Sequence, residues 1–351
     1  FKTRQPNPTY QREFARRIKR LAQQCPVVLV VGNHDIPPVM QKASTVEIFH
    51  TLEVENVIVG RSDKLHWIET KRGPVQVATV PYPMRQRLLG ELSTRGLGIE
   101  DLDRLLREQV GLLIRNLAEE VNPGIPAVLT AHFSVMEAKL GSEKNVMLGR
   151  DVAVMKSALD DPTWDYVALG HIHYHQDLNR GRCPPIVYSG SVERIDFGEE
   201  GDPKGFCWVE LARGQTAYRF VELPARPFVT IRVDVRDEPD PTQRIVNAIA
   251  AHDIADAVVR VIITTTPDGD LLIRDRDVEA ALAPAAFIAA IQRDIEYPAR
   301  RRLGTERPEA LTPVELLERY LWTKDVPPDR VKRLKQYAKK LFEESGESPL
   351  E

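Results

Sequence analysis

The most constraining feature of this chain is a pattern that occurs three times: a short apolar, β-branched run ends directly in polar residues. The runs lie at residues 27–31, 127–130 and 166–169, and they lead into Gly-Asn-His-Asp at 32–35, His132, and Gly-His-Ile-His at 170–173. Such runs predict strands buried on both faces, as in a parallel sheet. Ligands of open parallel sheets bind beyond the carboxyl ends of the strands. We therefore expect these polar side chains to converge at one edge of one sheet.

The residue types at this edge are typical of a metal-dependent hydrolase. Imidazole nitrogens and an amide oxygen such as that of Asn33 are ligands that Mn, Fe and Zn accept. In an extended segment the rings of His171 and His173 face the same side, because side chains alternate with a period of two. Gly32 permits a tight turn, and the His34 ring can donate or accept a proton. One His after a strand would indicate only a structural side chain, whereas three such motifs together favour a metal site.

The order of these motifs resembles the calcineurin-like metallophosphoesterase superfamily. Two further segments narrow the likeness to the SbcD-type nuclease subunits of SbcC–SbcD complexes. They are Asp-Tyr-Val-Ala-Leu-Gly-His-Ile-His at 165–173, and Val-Tyr-Ser-Gly-Ser-Val-Glu-Arg-Ile-Asp-Phe-Gly-Glu at 187–199 followed by Lys-Gly-Phe at 204–206. The resemblance covers essentially the whole chain and is most specific between residues 27 and 206. It implies a two-sheet α/β sandwich of the calcineurin-like phosphoesterase type.

The resemblance also implies a ligand set of two divalent metal ions, with Mn as the expected metal. Asn33, His132 and His171 would hold one ion, and His173 would bind the other. Two such ions would clamp a phosphodiester, activate a water and steady the leaving oxygen.

By the same resemblance, His34 is the expected catalytic proton donor. It would orient the scissile phosphate and protonate the leaving oxygen, for which an imidazole of near-neutral pKa is suited. Asp35 would orient His34 as a hydrogen-bond acceptor; the alternative is that Asp35 only closes the turn. His175 is expected to be a solvated loop residue, with substrate contact as the alternative.

The beginning of the chain departs from the superfamily pattern. The superfamily pattern opens with Asp-x-His after a first strand, and a Gly-Asp after a second strand supplies the carboxylate that bridges the two ions; neither occurs ahead of Gly32 in this sequence. The first predicted element is instead a helix with Asn7 as its cap, Pro8 in its first turn, and an apolar stripe from Tyr10 to Leu21. We interpret the chain as a fragment lacking roughly 30–50 upstream residues, about one βαβ unit; the alternative is a natural protein without half of its metal site. As given, the polypeptide is expected to bind at most one metal ion, weakly, and not to cleave DNA.

The first predicted domain is a phosphoesterase domain at residues 1–224, without its first two strands on this interpretation. Apolar and β-branched runs predict strands at 57–59, 67–69, 75–80, 186–188, 206–211 and 217–223. Apolar spacing from Ile99 to Leu117 predicts a long helix, and residues 152–159 predict a shorter one. The polar residues 134–150 predict a mobile loop, with a segment that faces substrate as the alternative.

A linker of Pro-Ala-Arg-Pro at 224–227 leads into a small α+β domain, assigned to residues 225–305. The predicted elements are strands at 229–235, 258–265 and 287–295, helices at 242–252 and 277–282, and a turn at 267–270. By resemblance this is a capping domain that shapes DNA access, and a structural module is the alternative. Its basic residues Arg300, Arg301, Arg302 and Arg307 either contact phosphates or lie in a solvated loop.

Residues 306–351 predict two amphipathic helices that need a surface to cover their apolar faces. Thr312, Pro313 and Glu315 have the spacing of a capping box at the start of the first helix. By resemblance this tail binds the coiled-coil base of the SMC-like ATPase SbcC. The alternative is that the tail packs back on the capping domain.

Composition limits the classes of function. A length of 351 residues suits two or three domains, and the net charge of −3 means that DNA contacts must come from local patches. Three cysteines without metal or disulfide spacing suit the reducing cytoplasm. No apolar run approaches the roughly 18 residues of a membrane span, so no membrane contact is expected.

The resemblance as a whole implies a DNA exonuclease or endonuclease acting on ends or hairpins in repair and recombination. It further implies a homodimer within a heterotetramer with SbcC, associated with the nucleoid. One alternative is a phosphodiesterase acting on small nucleotides, which the domains after residue 225 disfavour. The other is a scaffold that binds the ATPase without catalysis.

Overall fold

The computed structural model describes residues 5–36, 43–89, 97–141, 151–297, 312–322, 324 and 326–344. The protein is mixed α/β with several sheets and helices, consistent with an α/β phosphoesterase fold. Its residues form two compact units. The first comprises Phe1–Thr230, Ile254–Val259 and Ala285–Phe287, and the second comprises Ile231–Asp253, Arg260–Pro284 and Ile288–Glu351.

The first unit begins with a helix and a two-stranded parallel sheet. Its elements are α1 (Pro8–Ala22), β1 (Val27–Val30), α2 (Glu47–Thr51) and β2 (Val57–Gly60). The predicted cap is confirmed, since Asn7 Oδ1 accepts a hydrogen bond from the Thr9 N–H at 2.9 Å. The predicted apolar stripe of α1 is only partly buried: Ile18 joins the core, but Tyr10 and Leu21 are exposed.

A six-stranded sheet forms the centre of the first unit. Its strands are β3 (Lys64–Thr70), β4 (Gly73–Val80), β5 (Ala127–His132), β8 (Tyr166–Gly170), β9 (Gln176–Asp177) and β10 (Ile186–Tyr188), in the order β3-β4-β5-β8-β10-β9. β4, β5, β8 and β10 run parallel, and β3 and β9 are antiparallel edge strands. The helices after β4 are α3 (Arg85–Leu89) and the predicted long helix α4 (Ile99–Glu119). Leu106, Val110 and Ile114 of α4 pack in one core with the apolar residues of this sheet.

The expectation that all three motifs end strands of one sheet is wrong. β5 and β8 are neighbours in the central sheet, but β1 takes β2 as its partner, in register from Val27–Val57 to Val30–Gly60. The two sheets are nevertheless joined at the end of β1, where the Tyr82 N–H donates to the Val31 carbonyl at 3.0 Å. The Gly-Asn-His-Asp motif therefore follows a strand of the smaller sheet, next to the central sheet that carries the other two motifs.

The segment before β8 also differs from its prediction. Residues 152–159 contain β7 (Ala153–Val154) and one 3-10 turn (Lys156–Ala158), not a helix. β7 pairs in parallel with β6 (Ser134–Val135), so the start of the predicted mobile loop is a buried strand. The apolar residues of this segment, whose spacing predicted a helix, are buried in a segment that pairs as a strand. Residues 142–150 of that predicted loop lie outside the described residues.

The remaining sheets lie close to the predicted positions. They are the hairpin β11 (Gly205–Glu210) and β12 (Ala217–Glu222), and a sheet of β13 (Phe228–Asp234), β14 (Val258–Thr265) and β15 (Phe287–Ile295) in that order. The accompanying helices are α5 (Pro241–Ala250), α6 (Pro267–Asp270) and α7 (Asp275–Ala281). The predicted turn at 267–270 is a one-turn helix, because Thr266 caps it through the Gly269 N–H at 3.1 Å.

The tail forms the two predicted helices, α8 (Pro313–Trp322) and α9 (Pro328–Glu344). The capping box is confirmed: Glu315 Oε2 accepts from the Thr312 N–H at 2.8 Å, and Thr312 Oγ1 accepts from the Glu315 N–H at 3.4 Å. The arginine cluster at 300–307 lies outside the described residues. None of the helices in the described part of the chain is both long and apolar enough to span a membrane.

Candidate active site

His132, the last residue of β5, lies between the two glycine turns of the other motifs. A Cβ atom added to Gly32 would lie 2.8 Å from His132 Cε1, and one added to Gly170 would lie 3.0 Å from His132 Nδ1. Real Cβ atoms essentially never approach as closely as the first of these contacts. The two glycines therefore leave the space that the imidazole ring fills.

Asn33 of the first motif and His171 of the third both lie beside the His132 ring. His132 Nε2 lies 3.0 Å from Asn33 Oδ1, which is a hydrogen-bond distance. The centroids of the His132 and His171 rings are 5.1 Å apart, and the Tyr82 ring lies beside both, at 6.4 and 5.7 Å. The structure thus brings together Asn33, His132 and His171, the three predicted ligands of one ion.

Burial controls the charge of this cluster. It lowers the pKa of His132 from 6.5 to about 3, and the charge of the neighbouring His171 adds to the effect. His132 is therefore a neutral imidazole at physiological pH, with one ring nitrogen able to act as a ligand.

His171 has a strained backbone and an acidic neighbour. Its φ of 98° lies in the left-handed region, which is costly for a residue with a Cβ atom and is often found at functional sites. His171 Nε2 is 3.2 Å from Asp151 Oδ2. Burial would raise the pKa of Asp151, but the hydrogen bond with His171 and the charge of that ring outweigh burial and lower it. Sequence reasoning missed Asp151, because this residue precedes a strand of only two residues and belongs to no motif.

His173 is in contact with a buried pair of opposite charges. Its Nδ1 atom lies 2.7 Å from Glu199 Oε1, and Lys204 Nζ lies 2.7 Å from Glu199 Oε2. Burial would raise the pKa of Glu199, but hydrogen bonds with His173 and Lys204 lower it to about 2. Glu199 and Lys204 occur in the segments that carry the family resemblance, yet no pattern around them assigned either residue a role.

Comparison with known proteins supports one family. No family model matches the chain. A curated protein from Rhodobacter capsulatus, named as the SbcD component of the nuclease SbcCD, is 28% identical over 228 residues, which covers 59% of this chain and 52% of that protein. The chain thus spans about half the length of this relative. The likeness supports the SbcD family.

The turn that carries the expected SbcD-type proton donor is closed by its own acidic residue. Asp35 Oδ2 accepts a hydrogen bond from the Gly32 N–H at 2.9 Å, which is the turn-closing role considered as an alternative. His34 lies near enough to His132 for its charge to lower the pKa of that ring. Catalytic roles for His34 and Asp35 remain predictions.

His175 is not a solvated loop residue. Its Nδ1 atom lies 2.9 Å from the Tyr188 carbonyl oxygen, and its ring stacks on Phe220 at a centroid distance of 4.1 Å. The side chain is held by β10 and β12, the strands that carry these two partners.

The chemistry of the donor set suits the divalent ion expected of an SbcD-type protein. Among the described residues, no three His, Cys, Asp or Glu side chains are grouped so as to hold an ion without help. A metal at this edge needs the amide oxygen of Asn33 in addition to His132 and His171. One neutral oxygen and two imidazoles fit Mn²⁺, Fe²⁺ or Zn²⁺. The ion would replace the existing hydrogen bond between Asn33 and His132.

Proposed function

We propose that this chain is the nuclease subunit of an SbcC–SbcD-type complex, a metal-dependent hydrolase of DNA phosphodiester bonds at ends or hairpins. The observation that carries the proposal is the group of Asn33, the neutral His132 and His171 at the junction of two sheets. The name of the Rhodobacter capsulatus relative, a nuclease subunit, supports the nuclease part of this proposal.

In this proposal the residues of the chain bind one ion and prepare the substrate. Asn33, His132 and His171 would hold that ion, with Mn²⁺ as the first candidate, and His173 would serve a second. A bound divalent ion supplies positive charge for the phosphate oxygens and lowers the pKa of a water molecule. Gly32 and Gly170 fix the His132 ring, and Asp151 orients His171.

His34 is proposed to carry the proton to the leaving oxygen. It follows the proposed ligand Asn33 directly, and the turn that carries both residues is closed by Asp35. An imidazole is suited to this step because its ordinary pKa lies near neutrality.

The proposed partners are DNA, a second copy of the chain, and the SMC-like ATPase SbcC. Residues 225–305 are proposed to cap the DNA site, and residues 306–351 to bind the ATPase. The exposed apolar side chains of α8 and α9 support the second part, since such faces are typical of helices that dock on a partner. These side chains are Tyr320, Trp322, Tyr337 and Leu341.

Calorimetric titration of this chain with Mn²⁺ tests the site. We expect at most one weakly bound ion, lost in His132→Gln and retained in His252→Gln, whose ring contacts the Ala248 carbonyl oxygen at an exposed position. Binding that is indifferent to His132→Gln would contradict the proposed ligands.

A nuclease assay on hairpin DNA with Mn²⁺ tests the reaction. The protein that carries these residues, mixed with its ATPase, is expected to cleave. His34→Gln should abolish cleavage and leave Mn²⁺ affinity within about twofold, since His34 is not a proposed ligand. Hydrolysis of small phosphodiesters without DNA cleavage would favour the nucleotide phosphodiesterase. ATPase binding without any hydrolysis would favour the scaffold.

A further inference from the structure

Three side chains in the first unit form a continuous hydrogen-bonded line that ends on a motif residue. Lys204 Nζ contacts Glu199 Oε2 at 2.7 Å, and Glu199 Oε1 contacts His173 Nδ1 at 2.7 Å. The side chains of Lys204 and Glu199 are 0% and 1% exposed, whereas His173 is 29% exposed. The line therefore runs from the interior to a partly open imidazole.

Stability alone does not explain why the ion pair of Lys204 and Glu199 is buried. Removing a carboxylate and an ammonium from water costs several kcal/mol per ion, and well-packed apolar residues often stabilise a fold as well or better. Here both charges are also bonded to the backbone: Glu199 Oε2 accepts from the Ile195 N–H at 3.1 Å, and Lys204 Nζ donates to the His173 carbonyl at 3.3 Å. The pair thus holds both the ring and the main chain of one residue.

We propose that Glu199, anchored by Lys204, is a positioning residue for His173. A carboxylate flanked by an ammonium is an acceptor, so the ring must donate its Nδ1–H to Glu199. Nε2 then carries the lone pair, on the side of the ring away from Glu199. This tautomer presents a ligand for a divalent cation or an acceptor for a protic substrate group; what binds there rests on the proposed function.

The backbone behind His173 is held as tightly as its ring. Gly190 has a φ of 76°, and a Cβ atom there would lie 2.8 Å from the His173 carbonyl oxygen. The Ser191 N–H donates to the same oxygen at 3.2 Å. The main chain of His173 therefore keeps these contacts when Glu199 and Lys204 are replaced, whereas the ring loses its bond to Glu199.

The segment that carries Glu199 has its own support, so the proposal can be tested without unfolding it. Arg194 donates to the carbonyl oxygens of Glu199 at 3.2 Å, Asp202 at 2.9 Å and Ala225 at 3.3 Å. Removing the Glu199 carboxylate leaves these bonds in place.

The test is the tautomer of His173, read from the ring nitrogen shifts by NMR in metal-free protein. The wild type is expected to show Nδ1–H. The double variant Glu199→Leu with Lys204→Met removes both charges, so it leaves neither ion buried without a partner, and is expected to lose this preference. Glu199→Gln with Lys204→Met keeps an acceptor oxygen and is expected to restore Nδ1–H.

Asp165→Asn is the control for loss of an ion pair whose carboxylate is buried. Asp165 contacts Arg213 at 3.1 Å and accepts from the Gly214 N–H at 2.7 Å. This variant should lower stability and leave the His173 tautomer unchanged. An unchanged tautomer in the Leu/Met variant, or an equal change in Asp165→Asn, would overturn the positioning role.

A second measurement separates this inference from the proposed function. In the protein mixed with its ATPase, the Leu/Met variant is expected to bind Mn²⁺ about 10–100-fold more weakly, the usual effect of losing a partner of a metal ligand. A tautomer change without DNA cleavage by the wild type would uphold the positioning role and refute the nuclease. If the Leu/Met variant bound Mn²⁺ and cleaved DNA as well as the wild type, the nuclease proposal would be upheld and the positioning role of Glu199 refuted.

Discussion

At the scale of single residues, the position of the His132 ring explains why glycine is needed at positions 32 and 170. Gly32→Ala would place a Cβ atom 2.8 Å from His132 Cε1, so the ring or the turn must move. We expect a loss of about 1–3 kcal/mol in unfolding free energy, measured by urea titration, because overpacked sites cost this much. Gly201→Ala is the control, since nothing lies within 4 Å of its added Cβ atom. Equal stability of Gly32→Ala and the control would contradict the packing argument.

The neutral state of His132 predicts a pH dependence. Its pKa falls from 6.5 to about 3 on folding, so between these values the unfolded chain binds a proton that the folded protein does not. Stability in metal-free buffer should therefore fall as the pH falls below 6.5, by up to about 1.4 kcal/mol per pH unit from this residue. Glu199, with a pKa moved from 4.5 to about 2, adds its own loss only below pH 4.5.

Urea titrations between pH 6.5 and 5 measure the contribution of His132. His132→Gln should flatten the slope, and His252→Gln should not. The same slope in both variants would mean that other groups bind the protons.

The predictability of the site residues depends on where they lie in the chain. Asn33, His132 and His171 could be found because each follows an apolar run, and strand ends meet at sheet edges. Asp151 and Glu199 lie in connecting segments, where side chains follow no period. Their proximity to His171 and His173 is set by tertiary packing, which no local pattern records.

At the scale of elements, periodicity and capping signals predicted much of the fold. The long helix α4, the strands β14 and β15, and both tail helices lie within a few residues of their predictions. The sheet membership of β1 and the pairing of β6 with β7 were missed. Pairing partners are distant in sequence, and a strand of two residues is too short to have a period.

The capping box of α8 predicts a local loss of stability in Thr312→Ala. The change removes the hydroxyl that accepts from the Glu315 N–H and donates to the carboxylate of Glu315. A lost cap costs about 1 kcal/mol, so amides of the first turns of α8 should exchange with solvent about fivefold faster. Hydrogen exchange read by mass spectrometry measures this effect. Thr312→Ser keeps a hydroxyl and should exchange like the wild type; a Ser variant as fast as Ala would contradict the cap.

At the scale of the whole molecule, two compact units divide the proposed roles. The Asn33–His132–His171 group lies in the first unit, and the helices proposed to bind the ATPase lie in the second. Sequence reasoning assigned the partner of those helices only through a family resemblance, because an amphipathic face indicates that a surface is needed and not which surface.

This division predicts that the two activities can be separated. Tyr337→Glu with Leu341→Glu places charges on the exposed apolar side chains of α9 and should weaken ATPase binding at least tenfold in a pull-down titration. Mn²⁺ affinity should stay unchanged. Leu271→Glu, at another exposed apolar residue of the second unit, is the control and should bind the ATPase normally. Weakening by both variants to the same degree would argue against α9 as the contact.

The fully buried Lys204 makes trypsin cleavage a measure of how often this part of the fold opens. Trypsin cuts after a lysine only when the surrounding chain is extended and accessible, and here the ammonium group is held by Glu199. Cleavage between Lys204 and Gly205 must therefore wait until this part of the fold opens. At a trypsin concentration high enough for cleavage to outpace reclosing, the rate at which that one peptide bond is cut equals the rate at which the His173 arrangement opens.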